Sequence, residues 1–117
     1  MANIPADMKV TLVEGLSGGP TIQFGTGNWQ DGAVRGVAIS EEAFDLLEPT
    51  IQQLVPEWRP LARYGVTELS RSSLIALIEG LRALELADPD AVRMKVEVAD
   101  WLSHASRQPE PVTIFGL

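Results

Sequence analysis

The sequence predicts one α+β domain: an N-terminal antiparallel β-meander, about three helices packed on one face, and a C-terminal strand returning to the sheet. Three observations predict it. Seven of the ten glycines lie between residues 15 and 36, where they punctuate short stretches of alternating apolar residues. From Ser40 onward, apolar residues recur at three- and four-residue steps behind capping residues. The chain then closes on Val112-Thr113-Ile114-Phe115, an apolar run that follows two prolines.

Met8–Glu14 reads as the first strand, with Met8, Val10 and Leu12 on one face. Ser17-Gly18-Gly19-Pro20 is a turn, and Thr21–Phe24 a second strand carrying Ile22 and Phe24 on one side. Asn28-Trp29-Gln30-Asp31-Gly32 is a loop whose Asp-Gly step favours a hairpin, and Ala33–Ile39 is the third strand. Ser40 then caps a helix. Glu41 and Glu42 sit well in its first turn, where the helix macrodipole favours negative charge. Phe44, Leu47, Ile51 and Leu54 form the apolar stripe. Pro49 lies inside this pattern and is expected to kink the helix or split it after Leu47, and Pro56 ends it.

Glu57–Arg63 is a connector, and Tyr64–Leu69 is a short β-rich stretch suited to an edge strand. Ser70 caps a helix running from Arg71 to about Leu86, with Leu74, Leu77, Ile78, Leu81 and Leu84 inward. Gly80 costs this helix about 1 kcal/mol against alanine, which close packing at that point would explain. Asp88-Pro89 starts the last helix, with Asp at the N-cap and Pro at the first helical position. That helix runs to about Ser106 and turns Met94, Val98, Trp101, Leu102 and Ala105 to one side. The short link makes the two helices an antiparallel hairpin. The strand at residues 112–115 needs partners for its backbone groups and is expected to pair in the sheet.

Composition narrows function more by exclusion than by assignment. The 117 residues are 45% apolar and 21% charged, ordinary for a single globular domain. Cysteine is absent, which removes disulfides, thiol nucleophiles and thiolate metal sites. No apolar run suits a membrane span and the first residues do not read as a signal peptide, so the expected compartment is the cytoplasm. The net charge is −7, of which −6 falls in residues 1–58. Nucleic acid and anionic membrane surfaces are therefore disfavoured as partners, and a basic protein is allowed.

Few residues invite a chemical reading. His104 is the only histidine, with Asp100 one turn before it and Ser103 beside it. Adjacent helical residues point about 100° apart, so Ser103 and His104 do not face each other as a catalytic pair must. Asp100 and His104 read instead as a solvated surface contact. The glycines lack the Lys-Ser/Thr of a phosphate loop. No cofactor or metal is expected, and the chain leans away from enzymes.

Glu41, Asp45 and Glu48 form an acidic stripe on one helix, flanked by Glu42, with no lysine or arginine in that helix to offset them. Such a stripe is either a solvated face or a docking face for a basic partner. Trp29, in a polar loop, is a further candidate anchor, because tryptophan is enriched at interface hot spots. Trp58 reads as a lid folded back on the core, and Trp101 as a core residue. The partner-binding candidates are therefore Glu41, Glu42, Asp45, Glu48 and Trp29.

The order of glycine-rich strands, "ISEEAFDLLEPTIQQLVP", "YGVTELSRSSLIALIEGLRAL" and "ADWLSHASRQPEPVTIFGL" resembles small, acidic, uncharacterised bacterial proteins over roughly residues 38–117. In size and acidity they are similar to the immunity proteins of toxin–immunity pairs. The resemblance implies a protein that binds and blocks a cognate toxin, and it transfers no site residues. Two other classes stay open: a small enzyme or ligand-binding domain with a pocket between sheet and helices, and an assembly subunit that self-associates through an exposed strand.

Overall fold

The computed structural model describes residues 11–12, 21–26, 35–59 and 62–116. They form β1 (Thr11–Leu12), β2 (Thr21–Thr26), β3 (Arg35–Ser40), α1 (Glu41–Leu54), a 3-10 turn (Ala62–Tyr64), β4 (Val66–Glu68), α2 (Arg71–Ala83), α3 (Pro89–Ala105) and β5 (Thr113–Phe115). The expected turn at residues 17–20, the loop at 28–32 and Trp29 lie outside the described residues.

The five strands make one antiparallel sheet in the order β1-β3-β2-β5-β4. β2 and β3 pair as consecutive neighbours over their whole length, from Thr21 opposite Ser40 to Thr26 opposite Arg35. The N-terminal strands depart from a simple meander, because β1 pairs with β3 rather than β2. A strand has two edges, and those of β2 are taken by β3 and β5, which leaves the outer edge of β3 for β1. The C-terminal strand does return to the sheet. It is an interior strand, with Ile114 opposite Phe24 on one side and Thr67 on the other.

Cross-strand partners share a face, so Ile22, Phe24, Val37, Ile39, Thr67 and Ile114 lie on one side of the sheet. That side meets the helices. α1 and α3 lie against β3, α1 also against β2, and α2 packs on both helices. Phe24, Phe44, Leu47, Ile51, Leu77, Leu81, Met94, Val98, Leu102 and Ile114 join in a single buried core. Trp58 closes that core as a buried lid, while Trp101 is half-buried at its margin.

The caps explain where the helices begin. Ser40 is both the last residue of β3 and the N-cap of α1, its hydroxyl accepting from the Ala43 N–H at 3.1 Å. Asp88 accepts from the Asp90 N–H at 2.8 Å, and Pro89 follows as the first helical residue. α2 ends at Ala83, three residues short of its expected end.

Of the two outcomes expected at Pro49, a kink or a split after Leu47, the split does not occur: α1 is continuous from Glu41 to Leu54. An interior proline costs a helix about 3 kcal/mol. Phe44, Leu47, Ile51 and Val55 flank it and are essentially fully buried, and each such side chain contributes about 1.5–3 kcal/mol. Breaking the helix would disengage them. Pro49 and Asp45 are both exposed, so the carbonyl that loses its N–H partner is on the water-facing side. Gly80 of α2 faces α1 closely: a Cβ there would come within 2.2 Å of Leu54 Cδ1 and 3.1 Å of Thr50 Cγ2. Close helix approach therefore accounts for a glycine inside α2.

Because β5 joins β2 to β4, Ile114→Ala should cost about 2–5 kcal/mol in urea unfolding. Deleting residues 111–117 should abolish a single cooperative transition. An unchanged melting temperature after that deletion would show that β5 does not hold the sheet together.

Candidate functional site

The four carboxylates proposed from the sequence share one face of α1 but not one environment. Asp45 is 57% exposed at its side chain and Glu48 only 20%. Glu41 is half-buried and Glu42 exposed. Both meet Arg63, in the 3-10 turn that precedes β4, and Glu48 alone also meets Trp58. One of its terminal nitrogens, Nη2, donates to Asp45 Oδ1 at 2.5 Å and to Glu48 Oε1 at 2.7 Å. The second oxygen of Glu48, Oε2, accepts from the Trp58 Nε1–H at 3.1 Å.

Aromatic rings hold this arrangement from below. The guanidinium carbon of Arg63 lies 5.3 Å from the centroid of the Phe44 ring. Phe44 in turn packs against Trp58 at 5.5 Å and Phe24 at 6.4 Å. A cation over a desolvated ring is attracted by the quadrupole of the ring. Arg63 Nε is buried with no hydrogen-bond partner among the described residues, a cost the carboxylates and the ring must outweigh. The hydrogen bond to Asp45 outweighs burial and, with the charges of Glu48, Asp45 and Glu41, raises the Arg63 pKa above its ordinary value. Glu41 thus belongs electrostatically to the same cluster.

The C-terminus fixes where Arg63 sits. Gly116 donates its N–H to the Gly65 carbonyl at 2.7 Å. A Cβ on Gly116 would meet the Arg63 carbonyl oxygen at 2.0 Å and its carbon at 2.5 Å, both backbone atoms that cannot swing aside. Glycine is required there because the chain passes directly over the 3-10 turn.

No lysine or arginine lies within α1, as the sequence shows, but the acidic stripe is offset from outside the helix. Arg63 offsets it from 15 and 18 residues away in sequence. Helical spacing could not reveal a partner delivered by the tertiary fold. Asp45 and Glu48 are drawn into internal contacts, and Glu41 and Glu42 complete the acidic face at the start of α1. Trp29 lies outside the described residues, so its relation to the cluster is not part of this geometry.

A second cluster joins the connector to α2. In a capping box the third helical residue reaches back to the N-cap N–H. Here that residue is Ser73, too short to do so, and Glu57 substitutes. Glu57 Oε2 accepts from the Ser70 N–H at 2.6 Å, and Oε1 from the Ser73 hydroxyl at 2.5 Å. Ser70 Oγ completes the set by accepting from the Ser73 N–H at 3.2 Å. Burial pushes the Glu57 carboxyl up. The hydrogen bonds from Ser73 and Ser70 outweigh it and lower the pKa to about 2. These residues support the start of α2.

Asp100 faces Arg82 on α2 at 3.6 Å, and His104 is exposed near the end of α3. An open cleft of about 670 Å³ lies at the turn between α2 and α3, lined in part by Leu84, Leu86, Val92 and Lys95. The buried Lys95 ammonium donates to the Leu84 carbonyl at 2.8 Å, which satisfies the end of α2. Among the described residues, no group of three or more His, Asp or Glu side chains is placed to hold a metal ion. No described helix is long and apolar enough to cross a membrane.

Two predictions follow from these clusters. The folded pKa of Glu57 lies below its ordinary value of 4.5, so its stabilisation is fully present above about pH 4.5 and lost as the pH falls toward 2. The stability gap between wild type and Glu57→Gln should close across that window in urea titrations, whereas a gap independent of pH would contradict the assignment. Asp45→Lys would set an ammonium against Arg63 and should cost about 1 kcal/mol or more, while Glu79→Lys, at an exposed position of α2 away from Arg63, should cost less. Equal effects in thermal unfolding would mean that Arg63 does not select between them. The chain matches no protein-family model, no curated protein and no solved structure.

Proposed function

We propose that this protein is a non-catalytic acidic binder. In its most concrete form it is a bacterial immunity protein that acts in the cytoplasm, binding a cognate toxin and covering a basic surface on it. One observation carries the reading: two of the α1 carboxylates, Asp45 and Glu48, are held in place by Arg63 and Trp58 over the Phe44 ring, beside Glu41 and Glu42 on the same helix. Charges already ordered in the free protein lose less entropy on binding than floppy ones. An acidic array also steers a basic partner during encounter and disfavours acidic ones. The overall charge of −7 acts in the same direction at longer range.

The test is kinetic. Once a partner is captured from the native host, its association rate is measured with wild type and with the Glu41→Lys/Glu42→Lys double variant, at low and high salt. The double variant should associate about tenfold more slowly at low salt and lose most of its salt dependence. Equal rates in all four conditions would return α1 to a solvated face. Co-expression adds a biological arm, in which wild type protects cells from the toxin and the double variant protects them less.

A further inference from the structure

The outer edge of β4 has features for which the acidic helix does not account. β4 ends the sheet, and only β5 pairs with it among the described residues. The Gly116 N–H bonds to the Gly65 carbonyl at 2.7 Å and the Leu69 N–H to the Val112 carbonyl at 2.9 Å. These two bonds set the phase of the ladder. In an antiparallel pair, bonded and non-bonded positions alternate. The Gly65 carbonyl and the backbone groups of Thr67 and Leu69 therefore turn toward β5, and Val66 and Glu68 turn theirs outward.

Side chains at the same edge suit a partner. Tyr64 is 64% exposed and Val66 52%, two of the four large apolar side chains exposed among the described residues. Val66 stands opposite half-buried Phe115, on the sheet face away from the helices. Glu68 is exposed two residues along the same face. Arg63, which binds Asp45 and Glu48 of α1, immediately precedes Tyr64 in the chain.

We infer that this edge receives an extended segment of a basic partner as an added antiparallel strand, an inference that rests on the reading of the protein as an acidic binder. The incoming strand bonds to the outward N–H and C=O groups of Val66 and Glu68. It carries lysine or arginine opposite Glu68 and, two residues on, an apolar side chain opposite Val66. Tyr64 extends the apolar contact beyond the strand. A second copy of this chain fits less well. Centred on Thr67, it would set each Glu68 against an apolar Val66; centred on Glu68, it would oppose two carboxylates. Both copies would also carry a charge of −7.

The test uses the full chain and two short capped peptides, one containing lysine-threonine-valine and the other glutamate-threonine-valine. Amide hydrogen exchange is followed at Val66 and Glu68 as each peptide is titrated. The lysine peptide should protect both amides and bind at least about threefold more tightly than the glutamate peptide. Val66→Pro removes an outward N–H that the sheet does not use, so it should weaken binding with little change in melting temperature. Should Val66→Pro not fold, Glu68→Lys provides the second arm and should reverse the preference between peptides.

Failure to protect Val66 and Glu68 at saturating lysine peptide overturns the added strand. If binding is still lost in Glu41→Lys/Glu42→Lys, the acidic-binder reading survives that failure. No binding of the lysine peptide at all removes the strand proposal outright. Protection that rises with protein concentration and without peptide replaces the partner with a second copy.

Discussion

Arg63 connects parts of the chain that are distant in sequence. Its side chain ties Asp45 and Glu48 of α1 together over the Phe44 ring, and its backbone is held under Gly116 beside the last strand. The 3-10 turn has no buried residue of its own, so contacts brought from elsewhere must hold it in place. The same residue therefore couples helix, connector and sheet edge. Without it, Glu48 would keep the Trp58 contact, but two nearby carboxylates would repel each other across a low-dielectric ring surface.

The sheet supplies the rigidity on which that junction depends. β5 lies between β2 and β4, so the end of the chain is stapled into the interior of the sheet. Gly116 can lie on the Arg63 backbone only because β5 is fixed by Ile114 in the core. Glu57 performs a parallel task one element later. It completes the α2 cap from outside the helix and so ties the connector to the helix layer. Glu48 and Glu57 thus take different roles, and their hydrogen-bond partners decide which.

Much of this architecture could be read from the residues. Ser40, Ser70 and Asp88 announced the helix starts, because N-cap chemistry is local. The apolar steps of α2 and α3 identified the inward faces, and Gly80 pointed to a close helix contact. The pairing of β1 with β3 could not be read, because alternation shows which face is apolar and not which neighbour it meets. At Pro49 local propensity allows a kink or a break, and the tertiary burial on both sides of it rules out the break. Within the site, the carboxylates were visible as a stripe. Arg63 was not, because no helical or strand periodicity relates it to Asp45 or Glu48. The one signal was indirect: an uncompensated acidic stripe followed by arginines in the next connector.

A double-mutant cycle between Arg63 and Glu48 tests the central claim most directly. Urea unfolding of wild type, Arg63→Ala, Glu48→Gln and the double variant gives the coupling energy between the two side chains. A functioning junction predicts a favourable coupling of about 1–3 kcal/mol, because the pair is mostly shielded from water and shares hydrogen bonds. Additive single effects, with coupling below about 0.3 kcal/mol, would mean that Arg63 does not organise the acidic face.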